Sequence, residues 1–195
     1  SGEINARSDL VDSNGIVPIR LSEKEYVRAH DFRRYLHKNL EDFIIETPLE
    51  SPLGFLNKEF DASLIKEIQA NWIPYDFKNQ NIDNFLENLN IDKSVEISSI
   101  QGGYSNAIKQ LNKFIEVGYQ DYAKYRSDPS KEASSQLSPY FHHGQISTHE
   151  VFNKISDLES WSPESIDPKM VGRREGWWGS SENFDSFMDE LITWR

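Results

Sequence analysis

The sequence contains no cysteine, so neither a disulfide framework nor a thiolate metal site is open to it. Long apolar runs are missing too: nothing approaches the roughly 20 consecutive apolar residues that a membrane helix needs. The opening residues lack the basic, then apolar, then small-residue succession of a secretory leader. Positive charge is scarce, with 21 Lys and Arg against 32 Asp and Glu and a formal net charge of −11. Non-specific nucleic-acid binding rests on cations that neutralise phosphates, so contact with a polyanion has to come from a local basic patch or from parts outside this sequence. The expectation is a cytoplasmic monomer with no membrane association.

What is present suits a folded protein. The 195 residues are 37% hydrophobic and 27% charged, enough for one sizeable core or for a small module beside a larger one. There is no internal repeat and no low-complexity tract. Both ends look cut. The chain opens Ser1-Gly2-Glu3 without Met, and it closes at Thr193-Trp194-Arg195 inside a helical pattern that has no stop signal.

The hydrophobic spacing predicts a mainly α chain with a short extended lead-in. Asn14-Gly15 is a turn signal, and Pro18 makes Ile16-Val17-Pro18-Ile19 an edge strand or extended segment. Ser22-x-x-Glu25 has the spacing of a capping box before Tyr26, Ala29, Phe32, Leu36, Leu40 and Phe43. A loop over 46–61 follows, then helices over about 62–73 and 81–90. After Gly102-Gly103, Ala107, Ile108, Leu111, Phe114, Ile115, Tyr119 and Tyr122 form one apolar helical stripe that fades before Pro129. Ser147-x-x-Glu150 and Ser180-Ser181 open two later helices.

Four places carry chemistry. In Ser134-Ser135-Gln136-Leu137-Ser138-Pro139, Ser138 reads as an N-cap with Pro139 at the first helical position, and Gly144 as the stop. Hydroxyls crowding a helix start suit a phosphate; ordinary capping needs Ser138 alone. Glu190 and Trp194, four apart, share a helix face and could hold a planar, hydrogen-bonding ligand, or be a surface Glu beside a half-buried Trp. Arg173-Arg174 lies among Gly172, Gly176, Gly179 and Trp177-Trp178, as a phosphate or base contact or as a solvated loop anchored by two Trp. His142 and His143 are adjacent, so on a helix they diverge by about 100° and do not face one ion; no metal is expected.

Taken in order, these segments resemble a known family. Residues 122–147, with Arg-x-Asp-Pro, Leu-Ser-Pro-Tyr and His-x-Gly-Gln-Ile-Ser, are similar to the FAD-binding signature of DNA photolyases, most of all the class II cyclobutane pyrimidine dimer enzymes. Residues 189–195, Asp-Glu-Leu-Ile-Thr-Trp-Arg, resemble the helix on which that family holds its substrate. Residues 11–18 look like the last strand of the family's antenna domain. The likeness is strong over 102–195 and general in layout over 1–101. His143 stands where the family has Phe, and Ser127 where it has Asn.

The resemblance implies that residues 1–101 are the end of the antenna domain and linker helices, and 102–195 the first part of an FAD-binding helical domain. It implies FAD as cofactor, with Tyr122, Ser134, Ser135, Gln136, Leu137 and Ser138 lining its phosphates and ribityl chain and Arg195 near the flavin. Glu190 would hydrogen-bond a pyrimidine carbonyl of the dimer, from a protonated or shielded state, and Trp194 would pack on its ring. Arg173 and Arg174 are the DNA-contact candidates. The implied activity is light-driven repair of dimer-containing DNA, with an antenna chromophore on a preceding domain and with this chain alone inactive. A cryptochrome-like signalling flavoprotein, or a flavin-free helical interaction module of the same fold, are the alternatives.

Overall fold

The computed structural model describes residues 12, 14–45, 47–49, 62–72 and 82–195, with the side chains of 62–65, 67, 82 and 83 left out of the description. The chain divides into two compact units, Ser1–Pro48 with Gln101–Arg195, and Leu49–Ile100. Among the described residues the fold is helical, with no strand. None of these helices is long and apolar enough to cross a membrane.

The lead-in differs from expectation. Residues 14–17 run through bends, and Ile19–Leu21 is a 3-10 turn rather than a strand. Ile16 nevertheless joins the core. Residues 11 and 13 of the expected strand, and most of the loop over 46–61, lie outside the described residues. The capping box at Ser22 is not formed. Its hydroxyl donates to the Lys24 carbonyl (2.7 Å), so helix α1 (Ala29–Asn39) begins only after the extended residue Arg28. Tyr26 stays outside the helix and packs on Phe32 and Tyr35. The short α2 (Glu41–Ile45) follows.

The smaller unit contributes α3 (Ala62–Asn71) and α4 (Ile82–Glu87), close to the expected spans. Trp72, Ile91, Val95 and Ile97 in it are exposed.

In the larger unit the apolar stripe is buried where expected, at Ala107, Leu111, Phe114, Tyr119 and Tyr122. It is not one α-helix. Helix α5 (Tyr104–Lys113) widens into a π turn (Phe114–Gly118), tightens into a 3-10 turn (Tyr119–Asp121) and resumes as α6 (Tyr122–Tyr125). Gly118 explains where the irregularity sits. A Cβ there would stand 2.7 Å from the Glu132 carbonyl oxygen and 3.1 Å from the Phe114 ring, so the helix can lie against residues 132–133 only because residue 118 has no side chain. The break also leaves the Ala123 N–H to donate to Asn183 Oδ1 (2.8 Å), which ties α6 to the last helix.

Helix α7 (Ser138–His142) stops at Gly144 in the left-handed region (φ +62°), as its sequence signals. Ser147 and Ser181 cap α8 (Thr148–Leu158) and α9 (Glu182–Met188) by accepting from the His149 and Phe184 amides. The reciprocal half of the box at Ser147 is absent, because Glu150 accepts the Tyr104 hydroxyl instead (2.7 Å). Glu159, just past α8, receives hydrogen bonds from Tyr119 (2.8 Å), Ser181 (2.6 Å) and Ser180 (3.1 Å). One carboxylate thus joins the end of α8, the start of α9 and the 3-10 turn. Burial pushes the Tyr119 phenol far above its usual range, so it stays a donor.

The loop 172–179 is pinned by Trp177 and Trp178, both buried. Trp177 stacks on His37 (ring centroids 3.7 Å apart), and Trp178 meets Trp161, whose indole N–H donates to the Trp178 carbonyl (2.7 Å). Gly179 (φ +64°) presses so closely on the Ser165 carbonyl that no side chain fits.

Leu40, Leu111, Leu137, Ile155 and Met188 are completely buried, each worth about 1.5–3 kcal/mol of transfer free energy. Helix α9 continues directly into a second π turn (Asp189–Thr193). Its first residue, Asp189, forms a buried bidentate pair with Arg33 of α1, Nε at 2.6 Å and Nη2 at 2.9 Å. This pair locks α1 to the π turn that ends α9.

Candidate functional site

The two ends of the Tyr122–Glu190 stretch come together around one open cleft of about 480 Å³ in the larger unit. Tyr122 and Arg126 supply one wall, Ser134, Ser135, Gln136 and Ser138 a second, and Glu190, Trp194 and Arg195 a third, with Pro139, Phe141, Phe187 and Leu191 between them. The volume lies in the range of small-molecule and cofactor pockets.

The aromatic cluster Phe114, Tyr122 and Phe187 sets the distance between the first and third walls, with centroid separations of 5.2–5.6 Å. Tyr122 is buried except for its edge on the cleft. Burial pushes its phenol up, and the nearby Arg126 cation opposes that shift.

The serine wall is held by what lies behind it. Gln110 Nε2 of α5 donates to the Ser135 carbonyl (3.0 Å), and Gly118 admits the backbone of residues 132–133. Gln136 adopts φ +56°, an unusual conformation for a residue with a side chain. Its amide donates to Ser134 Oγ (2.6 Å), and Ser135 Oγ accepts a long bond from the Leu137 amide (3.4 Å). Two local expectations change here. Leu137, not Ser138, is the residue before α7, and no side chain caps that helix. Leu137 also points its side chain into the core, fully buried, so only its backbone can approach the cleft. A five-residue helix has a weak dipole, and the positive charges on the cleft are those of Arg126 and Arg195.

Arg126 opens the Arg-x-Asp-Pro motif but has no role in the sequence reading, although it stands four after Tyr122 and so shares its helix face. Its Nη1 donates to Glu190 Oε1 at 2.5 Å. Glu190 is therefore bound as an acceptor by a cation, with about a third of its side chain exposed. Trp194 is 61% exposed, and its indole N–H donates to Asp189 Oδ2 (3.3 Å). Arg195 lies over the Phe141 ring at 4.1 Å, a cation–π contact.

Arg173 and Arg174 do not line the cleft. Both are exposed; Arg174 leans on Asp189 (3.7 Å) and Ser186, leaving Arg173 pointing to solvent. His142 and His143 pack edge to face. Among the described residues no three His, Asp or Glu gather as metal ligands would. A larger groove of about 910 Å³ is lined by residues between 14 and 36 and by residues 191–195, and so shares Leu191, Trp194 and Arg195 with the cleft. It lacks the hydroxyl cluster and the Arg126–Glu190 pair, and the cleft is the better chemical site despite its smaller volume.

No protein-family model matches the chain. A deoxyribodipyrimidine photo-lyase of Methanothermobacter thermautotrophicus is 25% identical over 190 residues, 97% of this chain and 38% of that protein. One from Potorous tridactylus is 28% identical over 158 residues, 80% of this chain and 27% of that protein. Cryptochrome-2 of Arabidopsis thaliana is 50% identical over 50 residues, 26% of this chain and 8% of that protein. The chain spans about a third of the length of the photolyases it matches. Similarity to several proteins named deoxyribodipyrimidine photo-lyase thus runs along most of this chain, and similarity to a cryptochrome over a shorter stretch of it.

Proposed function

We propose that the chain is part of a light-driven, FAD-dependent lyase that splits cyclobutane pyrimidine dimers in DNA, of the class II kind. The observation that carries the proposal is the cleft itself, where three serines, two guanidinium groups, a carboxylate and an exposed indole face one cavity. The matched relatives named deoxyribodipyrimidine photo-lyases agree with it.

The residues fit a dinucleotide. Ser134, Ser135 and Ser138 offer hydroxyls for a diphosphate and ribityl chain, and Gln136 an amide. Arg126 uses one N–H on Glu190, and the guanidinium carries further donors for an anionic oxygen. Bound FAD supplies the electron that light makes available to the dimer; the protein supplies position and electrostatics. Glu190 and Trp194 then receive the flipped lesion, the carboxyl at a pyrimidine edge and the indole against its ring. A dimer is already poorly stacked, which lowers the cost of flipping it. Glu190 can donate a hydrogen bond to a carbonyl only after taking a proton, so in this reading the lesion displaces Arg126 from it and shields it from water. Arg195 sits toward the flavin, and the exposed Arg173 contacts the DNA backbone, with Arg174 secondary. An antenna chromophore belongs to a preceding domain.

A cryptochrome-like role is the second reading, favoured by the 50-residue match to Cryptochrome-2. Incubating the full-length protein with a dimer-containing oligonucleotide in light and in darkness separates the two. Repair in light alone is expected. Flavin absorbance without repair would favour signalling, and absence of flavin would sink both.

A further inference from the structure

We infer that Asp189 is a positioning residue for Trp194, set in place by Arg33. The inference rests on the reading in which Trp194 packs against the dimer, and it adds a buried device behind that contact.

The π turn Asp189–Thr193 begins with two adjacent carboxylates, and each is clamped by an arginine from a different part of the chain. Arg33 of α1 holds Asp189 on the buried side, while Arg126, at the end of α6, holds Glu190 on the cleft side. Asp189 then takes hold of Trp194 twice. Its carbonyl accepts the Trp194 amide (3.3 Å) and its Oδ2 accepts the indole N–H (3.3 Å). Packing alone does little to fix this ring, because Trp194 is mostly exposed. Of its two ties, only the indole bond restrains the ring about its side-chain torsions. The carboxylate can serve as that anchor because it is itself immobile, with its side chain 3% exposed and fixed by two short charge-assisted bonds. Arg174, at 3.7 Å, adds a second positive charge beside the oxygen that accepts the indole.

The test is the indole N–H resonance of Trp194 in a proton–nitrogen correlation spectrum of this chain, assigned with Trp194→Phe. In Asp189→Ala the resonance should move upfield and exchange faster with water, while those of Trp161 and Trp72 hold still. Should Asp189→Ala fail to fold, the double variant Arg33→Met/Asp189→Leu replaces the buried pair by apolar groups, a change that such pairs commonly tolerate. It also removes the acceptor. An unmoved Trp194 resonance in either folded variant would overturn the inference, since a purely structural Asp189 predicts that result.

The full-length protein extends the test to substrate. The double variant should bind a dimer-containing oligonucleotide about tenfold more weakly with flavin content unchanged, the size expected for one charge-assisted hydrogen bond. Unchanged binding would overturn the positioning role. If the unaltered protein does not distinguish damaged from undamaged DNA, the functional reading fails, and the indole resonance still decides whether Asp189 positions Trp194.

Discussion

Arg33 and Asp189 are 156 residues apart in sequence and form a buried bidentate pair, which makes their energetics unequal and open to test. Removing one member of such a pair usually costs about 3–5 kcal/mol, because the other is left charged and dry. The two halves are not left in the same surroundings. After Arg33→Ala, Asp189 keeps Arg174 at 3.7 Å and the Trp194 indole at 3.3 Å. Arg174 is 43% exposed, so its help is worth about 1 kcal/mol at most. After Asp189→Ala, Arg33 faces the His37 ring, which burial and Arg33 itself keep neutral. Arg33→Ala should therefore cost about 2–4 kcal/mol and Asp189→Ala about 3–5 kcal/mol. Arg33→Met/Asp189→Leu should lie within about 1–2 kcal/mol of the unaltered protein. Urea unfolding of all four proteins compares them, and the double variant should lie about 3 kcal/mol or more above the stability that the two single losses together would leave. Additive single effects, or a double variant as unstable as the sum of the two, would refute the reasoning.

Three further outcomes are expected. Gly118→Ala puts a Cβ 2.7 Å from the Glu132 carbonyl oxygen. It should cost about 1–3 kcal/mol in urea unfolding and displace the loop that carries Ser134, seen as shifted amide resonances over 132–136. His37 has its pKa lowered to about 4, first by burial and then by Arg33, with Asp189 opposing. Because the unfolded chain takes up the proton first, stability is complete above about pH 6.5 and falls as pH drops toward 4. The loss should reach about 3 kcal/mol at most, reduced by solvent screening, and the profile of His37→Phe should lack it. Protonation would also cost the ring the bond that Nδ1 accepts from the Gly172 amide. Glu190→Ala in the full-length protein should keep its flavin content while dimers split per absorbed photon fall; an unchanged yield would refute the role proposed for Glu190.

Short-range rules made the helix ends legible, and the resemblance to the photolyase family pointed to the residues that line the cleft. Ser147, Ser181 and Gly144 end helices where their chemistry says they should, and Tyr122, Ser134, Ser135, Ser138, Glu190, Trp194 and Arg195 meet at one cavity. The misses have local physical reasons. Ser22 has the spacing of a cap but spends its hydroxyl on the Lys24 carbonyl. Periodicity marks which residues of the stripe over 107–122 are buried, yet it cannot show that Gly118 lets the helix bulge against residues 132–133. Leu137 sits in a hydroxyl-rich motif, but its apolar side chain takes the core and leaves its polar neighbours to the cleft. Partners distant in sequence were the least legible. Nothing in the spacing of Arg33 and Asp189, or of Arg126 and Glu190, announces that they pair.

The most direct measurement is a crystal structure of the full-length protein with FAD. The account predicts the diphosphate within hydrogen-bond reach of Ser134, Ser135 and Ser138, and the ring system in the same cleft as Glu190 and Trp194. A flavin seated elsewhere, with these three hydroxyls left to local bonds, would contradict it.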